Sequence, residues 1–70
     1  MRTTDITKEP VELYKILKFE GLVASGGEAK LVIGDGQVSV NGEVETRKRK
    51  KIVDGDIIAF GNETLQVRRV

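Results

Sequence analysis

Five consecutive basic side chains, Arg47-Lys48-Arg49-Lys50-Lys51, are the residues of this 70-residue chain best suited to engaging a partner. Arginine offers a planar fork of donors that fits phosphate or a base edge, and lysine a mobile point charge. Their natural counterpart is a polyanion. The run also concentrates charge that the whole-chain balance of +1 conceals. Residues 1–45 carry five basic and eight acidic side chains, a net of −3, whereas residues 46–70 carry seven and three, a net of +4. Such segregation suits a protein that meets a polyanion with one patch.

Covalent chemistry finds no residues to carry it. The chain has no His and no Cys, so no serine can be given a base. Disulfides and the usual zinc and haem ligand sets are likewise absent. The acidic pairs Glu43/Glu45 and Asp54/Asp56 flank turns, where carboxylates are commonly solvated or cap backbone donors. "GDGQVSVNG" matches neither Gly-rich phosphate-loop pattern, and "DGD" lacks the spaced oxygens of a calcium loop. The chain is expected to bind rather than catalyse, with no metal, cofactor or small-molecule substrate.

The elements that must position the basic run follow from periodicity. Residues 1–9 have no clear period and are expected to be an arm or an edge strand, and residues 10–70 a single domain. Pro10 fits the first position of a helix, and Leu13, Ile16 and Leu17 form its apolar stripe, with Gly21 as the stop. A second helix begins at Ser25, whose partner in a capping box is Glu28. Ala29, Val32 and Ile33 supply its buried stripe and Gly34 its end. Gly26 and Gly27 weaken the first turn but leave its N–H groups open to a phosphate. From Gln37 the period becomes two. Val38, Val40 and Val44 alternate around an Asn41-Gly42 hairpin turn, Asp54-Gly55 marks a further turn, and "DIIAFGNETLQV" is a second hairpin bending at Gly61-Asn62, with Leu65 and Val67 inward. The fold class is α+β, two N-terminal helices packed on a small antiparallel sheet.

An extended basic run would place Arg47, Arg49 and Lys51 on one face and Lys48 and Lys50 on the other, over roughly 16 Å. That length serves about three to five phosphates, for a log–log salt slope of about −2 to −4.5. Of the aromatics, Phe19 and Phe60 are assigned to the core, which argues against binding by base stacking. No apolar run approaches the roughly 20 residues of a membrane span, no bulky amphipathic face accompanies the charges, and the first residues lack a signal-peptide core. A cytosolic location is the simplest. Charge alone does not name the polyanion, and an acidic protein surface is the alternative to nucleic acid.

Residues 12–58 resemble the S-four RNA-binding domain, named for the fourth protein of the small ribosomal subunit. The resemblance rests on Leu13, Lys15 and Leu17; Gly21 and Leu22; Ser25, Glu28, Ala29 and Lys30; Gly36, Val38, Val40, Asn41 and Gly42; and Val53, Gly55 and Asp56, in that order. It is narrower for the small stand-alone bacterial members, in which the domain is nearly the whole protein. The resemblance implies an αL motif, two helices and the following hairpin, that docks on structured RNA, most naturally ribosomal or ribosome-associated. By matching position, Lys15, Ser25, Gly26, Gly27, Lys30 and the residues from Arg47 through Lys48, Arg49 and Lys50 to Lys51 would face the RNA, in a protein acting as a monomer. The chain departs from the family at Glu12 and Gly26. Many members are more basic there, so the burden shifts to residues 47–51. An adaptor docking on an acidic, ribosome-associated protein is the alternative function.

Overall fold

Thr4 and Ile6 alternate with exposed Thr3 and Asp5, and that period of two makes a strand, β1 (Arg2–Ile6). In the computed structural model, which describes residues 1–70, β1 lies at the edge of a five-stranded sheet and runs parallel to the last strand, β7 (Glu63–Arg69). Asp5 stands opposite Arg68 in this register, and their side chains form an ion pair at 3.1 Å.

The chain then departs from the expected helix start. Val11–Glu12 form a short strand, β2, paired antiparallel with β5 (Lys51–Ile52), so Pro10 precedes a strand. The first helix, α1, spans Leu13–Phe19. It buries Leu13, Ile16 and Leu17, as the stripe predicts. Phe19 lies off that face and is 73% exposed, so its assignment to the core is incorrect. Gly21 takes φ +73°, its N–H donates to the Lys18 carbonyl, and the Leu22 N–H donates to that of Leu17. That pair of bonds is a Schellman ending, which needs a left-handed residue where Gly21 stands.

The second helix, α2, spans Gly26–Gly34 and buries Ala29 and Ile33, with Val32 packed at the margin. Gly34 is its last residue, as expected, but the same left-handed stop falls two residues later. Gly36, at φ +79°, donates to Ile33 and Gln37 to Val32, whereas Gly34 is still helical.

Strand β3 (Val38–Val40) turns through Asn41 and Gly42, both at positive φ, into β4 (Glu43–Val44). Left-handed conformations at both turn residues match the right-handed twist of the flanking strands. After β5, strand β6 (Ile57–Phe60) pairs with β3 on one side and β7 on the other, through a bend at Gly61-Asn62. The order across the sheet is β1-β7-β6-β3-β4. The architecture is α+β, but the sheet is mixed, because β1 joins it in parallel, and two strands precede the helices.

One cluster of 13 buried apolar residues joins the helices to the sheet. Leu65 and Val67 point into it with Val38, Val40 and Ile58, while Ser39, Gln66 and Arg68 occupy the alternate positions. The turns around Asn41 and Asp56 are tied together: Asn41 donates to the Asp56 carboxylate at 3.0 Å and accepts from the Ile57 N–H at 2.9 Å. The second Asp56 oxygen takes the Val53 N–H, and Asp54 takes that of Arg69. The "VNG" and "VDGD" segments are therefore partners in one scaffold. No helix is long and apolar enough to cross a membrane.

Candidate nucleic-acid interface

Every helix begins with N–H groups that lack intrahelical acceptors. At α1 the residue before the helix, Glu12, makes no side-chain cap. The acceptors come instead from the basic run. Leu13 N–H donates to the Lys50 carbonyl at 2.9 Å, and Tyr14 N–H to the Lys48 carbonyl at 3.1 Å. Lys50 N–H in turn donates to the Arg47 carbonyl at 3.1 Å, closing a turn over Lys48 and Arg49. The run is thus a pinned turn rather than an extended ribbon, and the two-faced alternation expected of it does not form. The helix end consumes its carbonyls while its side chains stay outside: Arg47, Lys48, Arg49 and Lys51 are exposed and Lys50 is half-buried.

The ring of Tyr14, half-buried at the start of α1, gathers cations from three elements. Lys30 of α2 holds its ammonium 4.7 Å from the ring centroid, Arg49 of the basic turn lies at 5.7 Å, and Lys15 of α1 at 6.0 Å. An aromatic face attracts cations through its quadrupole, typically by about 0.5–1 kcal/mol at exposed sites. Gly26 lies against the same ring, where an added methyl group would sit 3.8 Å from it. Three like charges would otherwise separate. Here ring and backbone hold them within one small area.

Glu12 offsets part of the repulsion. Its two oxygens reach Lys15 at 3.3 Å and Arg49 at 3.4 Å. Burial pushes the Glu12 carboxyl up, but the Lys15 hydrogen bond and the charges of Arg49 and Lys15 outweigh it, leaving the group below its ordinary range. Arg47 points elsewhere. It grips Glu45 side-on, Nε to Oε2 at 3.0 Å and Nη2 to Oε1 at 3.1 Å. That grip, with the Arg47 N–H on the same carboxylate, holds Glu45 down to about 2.

At the start of α2 the capping box forms with a shift. The Ser25 hydroxyl accepts from the Glu28 N–H at 3.1 Å, but Glu28 reaches back to the Ala24 N–H, one residue before the cap, at 2.7 Å. The N–H groups of Gly26 and Gly27 precede the first intrahelical bond and stay open.

Of the residues singled out in the sequence, Lys15, Gly26, Lys30 and Arg49 converge on Tyr14. Ser25 and Gly27 adjoin them through Gly26, and Lys48 and Lys50 are anchored by their carbonyls to the same helix turn. Lys51 projects from β5 opposite Glu12, and Arg47 is turned to Glu45. Sequence reasoning missed Tyr14, whose signal was its place beside the apolar stripe with Lys15 next to it. It also missed the two carboxylates that hold the arginines.

Comparison with known proteins places the chain among relatives. A family model described as S4 domain matches residues 4–68. YbcJ of Escherichia coli (strain K12) is 50% identical over 68 residues, covering 96% of this chain and 97% of YbcJ. RlbA of Bacillus subtilis (strain 168), whose name ties it to ribosome maturation, is 34% identical over 53 residues, covering 76% of this chain and 75% of RlbA. The solution structure of the E. coli YbcJ, described as revealing an αL motif involved in RNA binding, superposes with a TM-score of 0.75 at 49% identity, covering 97% of this chain and 87% of that one.

Proposed function

Because this chain belongs to the S4 domain family, we propose that it is an RNA-binding module whose αL motif consists of α1, α2 and the β3–β4 hairpin. The observation that carries the reading is the convergence of Lys15, Lys30 and Arg49 on the Tyr14 ring, with the backbone of the basic turn fixed to the same helix. Cations held at fixed spacing suit a phosphate backbone of defined shape better than a flexible tail does. Structured RNA presents such a backbone, and its A-form minor groove is met through shape, phosphates and 2′-hydroxyls. Lys48, Lys50 and Lys51 extend the face, and the open N–H groups of Gly26 and Gly27, beside the Ser25 hydroxyl, receive one further phosphate oxygen. The αL motif described for YbcJ supports RNA as the ligand, and the name of RlbA supports ribosomal RNA, or RNA within a ribosome precursor, as the target; the protein binds it as a monomer.

Fluorescence anisotropy with a labelled ribosomal stem–loop tests the assignment. About three to four phosphates neutralised at this face give a log–log salt slope of roughly −2 to −3.5. Lys30→Glu with Arg49→Glu should weaken binding at least tenfold and flatten that slope. Arg68→Glu with Arg69→Glu makes the same change in net charge on β7 and should leave most of the affinity. Equal losses in the two double variants would show that net charge, not this face, governs binding. A partner pulled from lysate that survives ribonuclease would favour the adaptor reading instead.

A further inference from the structure

Beside the basic turn lies a shallow recess of about 380 Å³, bordered by Asn41, Glu43, Val44, Glu45, Arg47 and Lys50. Its charge differs from that around Tyr14. Two carboxylates, Glu43 and Glu45, face two cations, Arg47 and Lys50, so the recess is neutral overall. Around Tyr14 three cations face only Glu12. A phosphate entering the recess would come within reach of two carboxylates, whereas an uncharged group would not be repelled.

Arg47 is also held differently from its neighbours. Glu45 occupies Nε and one hydrogen of Nη2 and accepts the Arg47 backbone N–H as well, at 3.0 Å. The Glu45 side chain is only 13% exposed and that of Arg47 is 71% exposed. The guanidinium is therefore held by one side, and its Nη1 and the second Nη2 hydrogen have no partner within the chain. A fixed fork of two donors matches the paired O6 and N7 acceptors of guanine. Glu43 offers an acceptor to the exocyclic amine on the other edge of that base. Val44, 68% exposed, supplies apolar surface for its face.

We propose that this recess is a subsite for one unpaired guanine of the bound RNA, read by Arg47, with Glu45 as the positioning residue. The subsite rests on the RNA-binding reading and adds base selectivity to it: phosphates go to the Tyr14 face, and one base goes to the neutral recess.

The test uses stem–loop RNAs with uridine loops carrying a single guanine, adenine, cytosine or 7-deazaguanine at each loop position in turn. Wild-type protein should bind the best-placed guanine loop about fivefold tighter than the others, the low end for a bidentate base contact. The 7-deaza base lacks N7 and should lose that preference. Arg47→Lys keeps the charge, so it should abolish the preference while leaving the salt slope unchanged. Glu45→Gln removes a negative charge and should raise affinity for the non-guanine loops while narrowing the guanine preference; a carboxylate with no positioning role would leave that preference unchanged. Equal wild-type affinity for every loop, or a guanine preference that survives Arg47→Lys, overturns the subsite while leaving the RNA-binding reading intact. Absence of salt-dependent binding to any of these RNAs overturns both.

Discussion

The Lys30 ammonium of α2 lies 4.7 Å from the centroid of the Tyr14 ring of α1, while the Tyr14 N–H donates to the Lys48 carbonyl at 3.1 Å. One residue thus joins both helices and the basic turn, by its ring on one side and its backbone on the other. Removing the ring should loosen the face without removing any charge. Tyr14→Phe keeps the ring and should bind RNA as the wild type does. Tyr14→Ala should bind about 5- to 10-fold more weakly, since Lys30 and Arg49 both lose their cation–π partner. Anisotropy measures the affinity and circular dichroism checks the fold. A salt slope as steep as in the wild type would identify lost placement rather than lost charge.

Thr4 is the one buried polar residue, at 3% exposed, and its hydroxyl donates to Glu20 at 2.7 Å. Arg2 reaches the other Glu20 oxygen at 3.0 Å and Glu63 at 3.2 Å, so the edge strand β1 is clasped to the end of α1 and to β7. Thr4→Val keeps the shape and removes the bond to a charged acceptor. Because Glu20 still reaches Arg2 and solvent, the loss should be modest, about 1 kcal/mol. Urea unfolding measures it, and Thr4→Ser should recover most of the loss.

The acid limb of stability should carry a signature of Glu45. Hydrogen bonds from the Arg47 side chain and backbone hold its carboxyl down to about 2, against an ordinary value of 4.5. A carboxyl whose folded value lies below its unfolded one stabilises the fold fully above the unfolded value. That contribution is lost as pH falls from about 4.5 toward about 2. Glu45→Gln should therefore show a shallower decline in stability across that window, with little change in slope above it. Thermal melts in steps of pH give the comparison, and parallel curves for the two proteins would exclude Glu45 as a contributor.

What could be read from the sequence was local. Asn41-Gly42, Ser25 with Glu28, Gly21, and the alternation at Leu65 and Val67 each specify their neighbours through chemistry confined to a few residues. What escaped it depended on partners far along the chain. Val11 and Glu12 are drawn into a strand by Ile52 and Lys51, which displaces the helix start from Pro10. The uncapped first turn of α1 borrows the carbonyls of Lys48 and Lys50, and that folds an otherwise featureless basic run into a turn. The same held for the candidate site. Basic residue types marked the face, but the convergence on Tyr14 and the turning of Arg47 toward Glu45 needed three dimensions.

The two glycines at the end of α2 differ in what a side chain would do. Gly34 is helical, with nothing within 4 Å of an added Cβ, so Gly34→Ala should stabilise the protein by about 0.5–1 kcal/mol through lower backbone entropy in the unfolded chain. Gly36 sits at φ +79°, where an L side chain is strained, and its added Cβ would lie 3.6 Å from a Val44 methyl group. That distance is an ordinary contact, so the conformation decides the sign, and Gly36→Ala should destabilise by about 1 kcal/mol or more. Opposite shifts in the urea midpoint at unchanged m-value would establish Gly36 as the true helix stop. Equal shifts would exclude Gly36 as the residue whose left-handed conformation stops the helix.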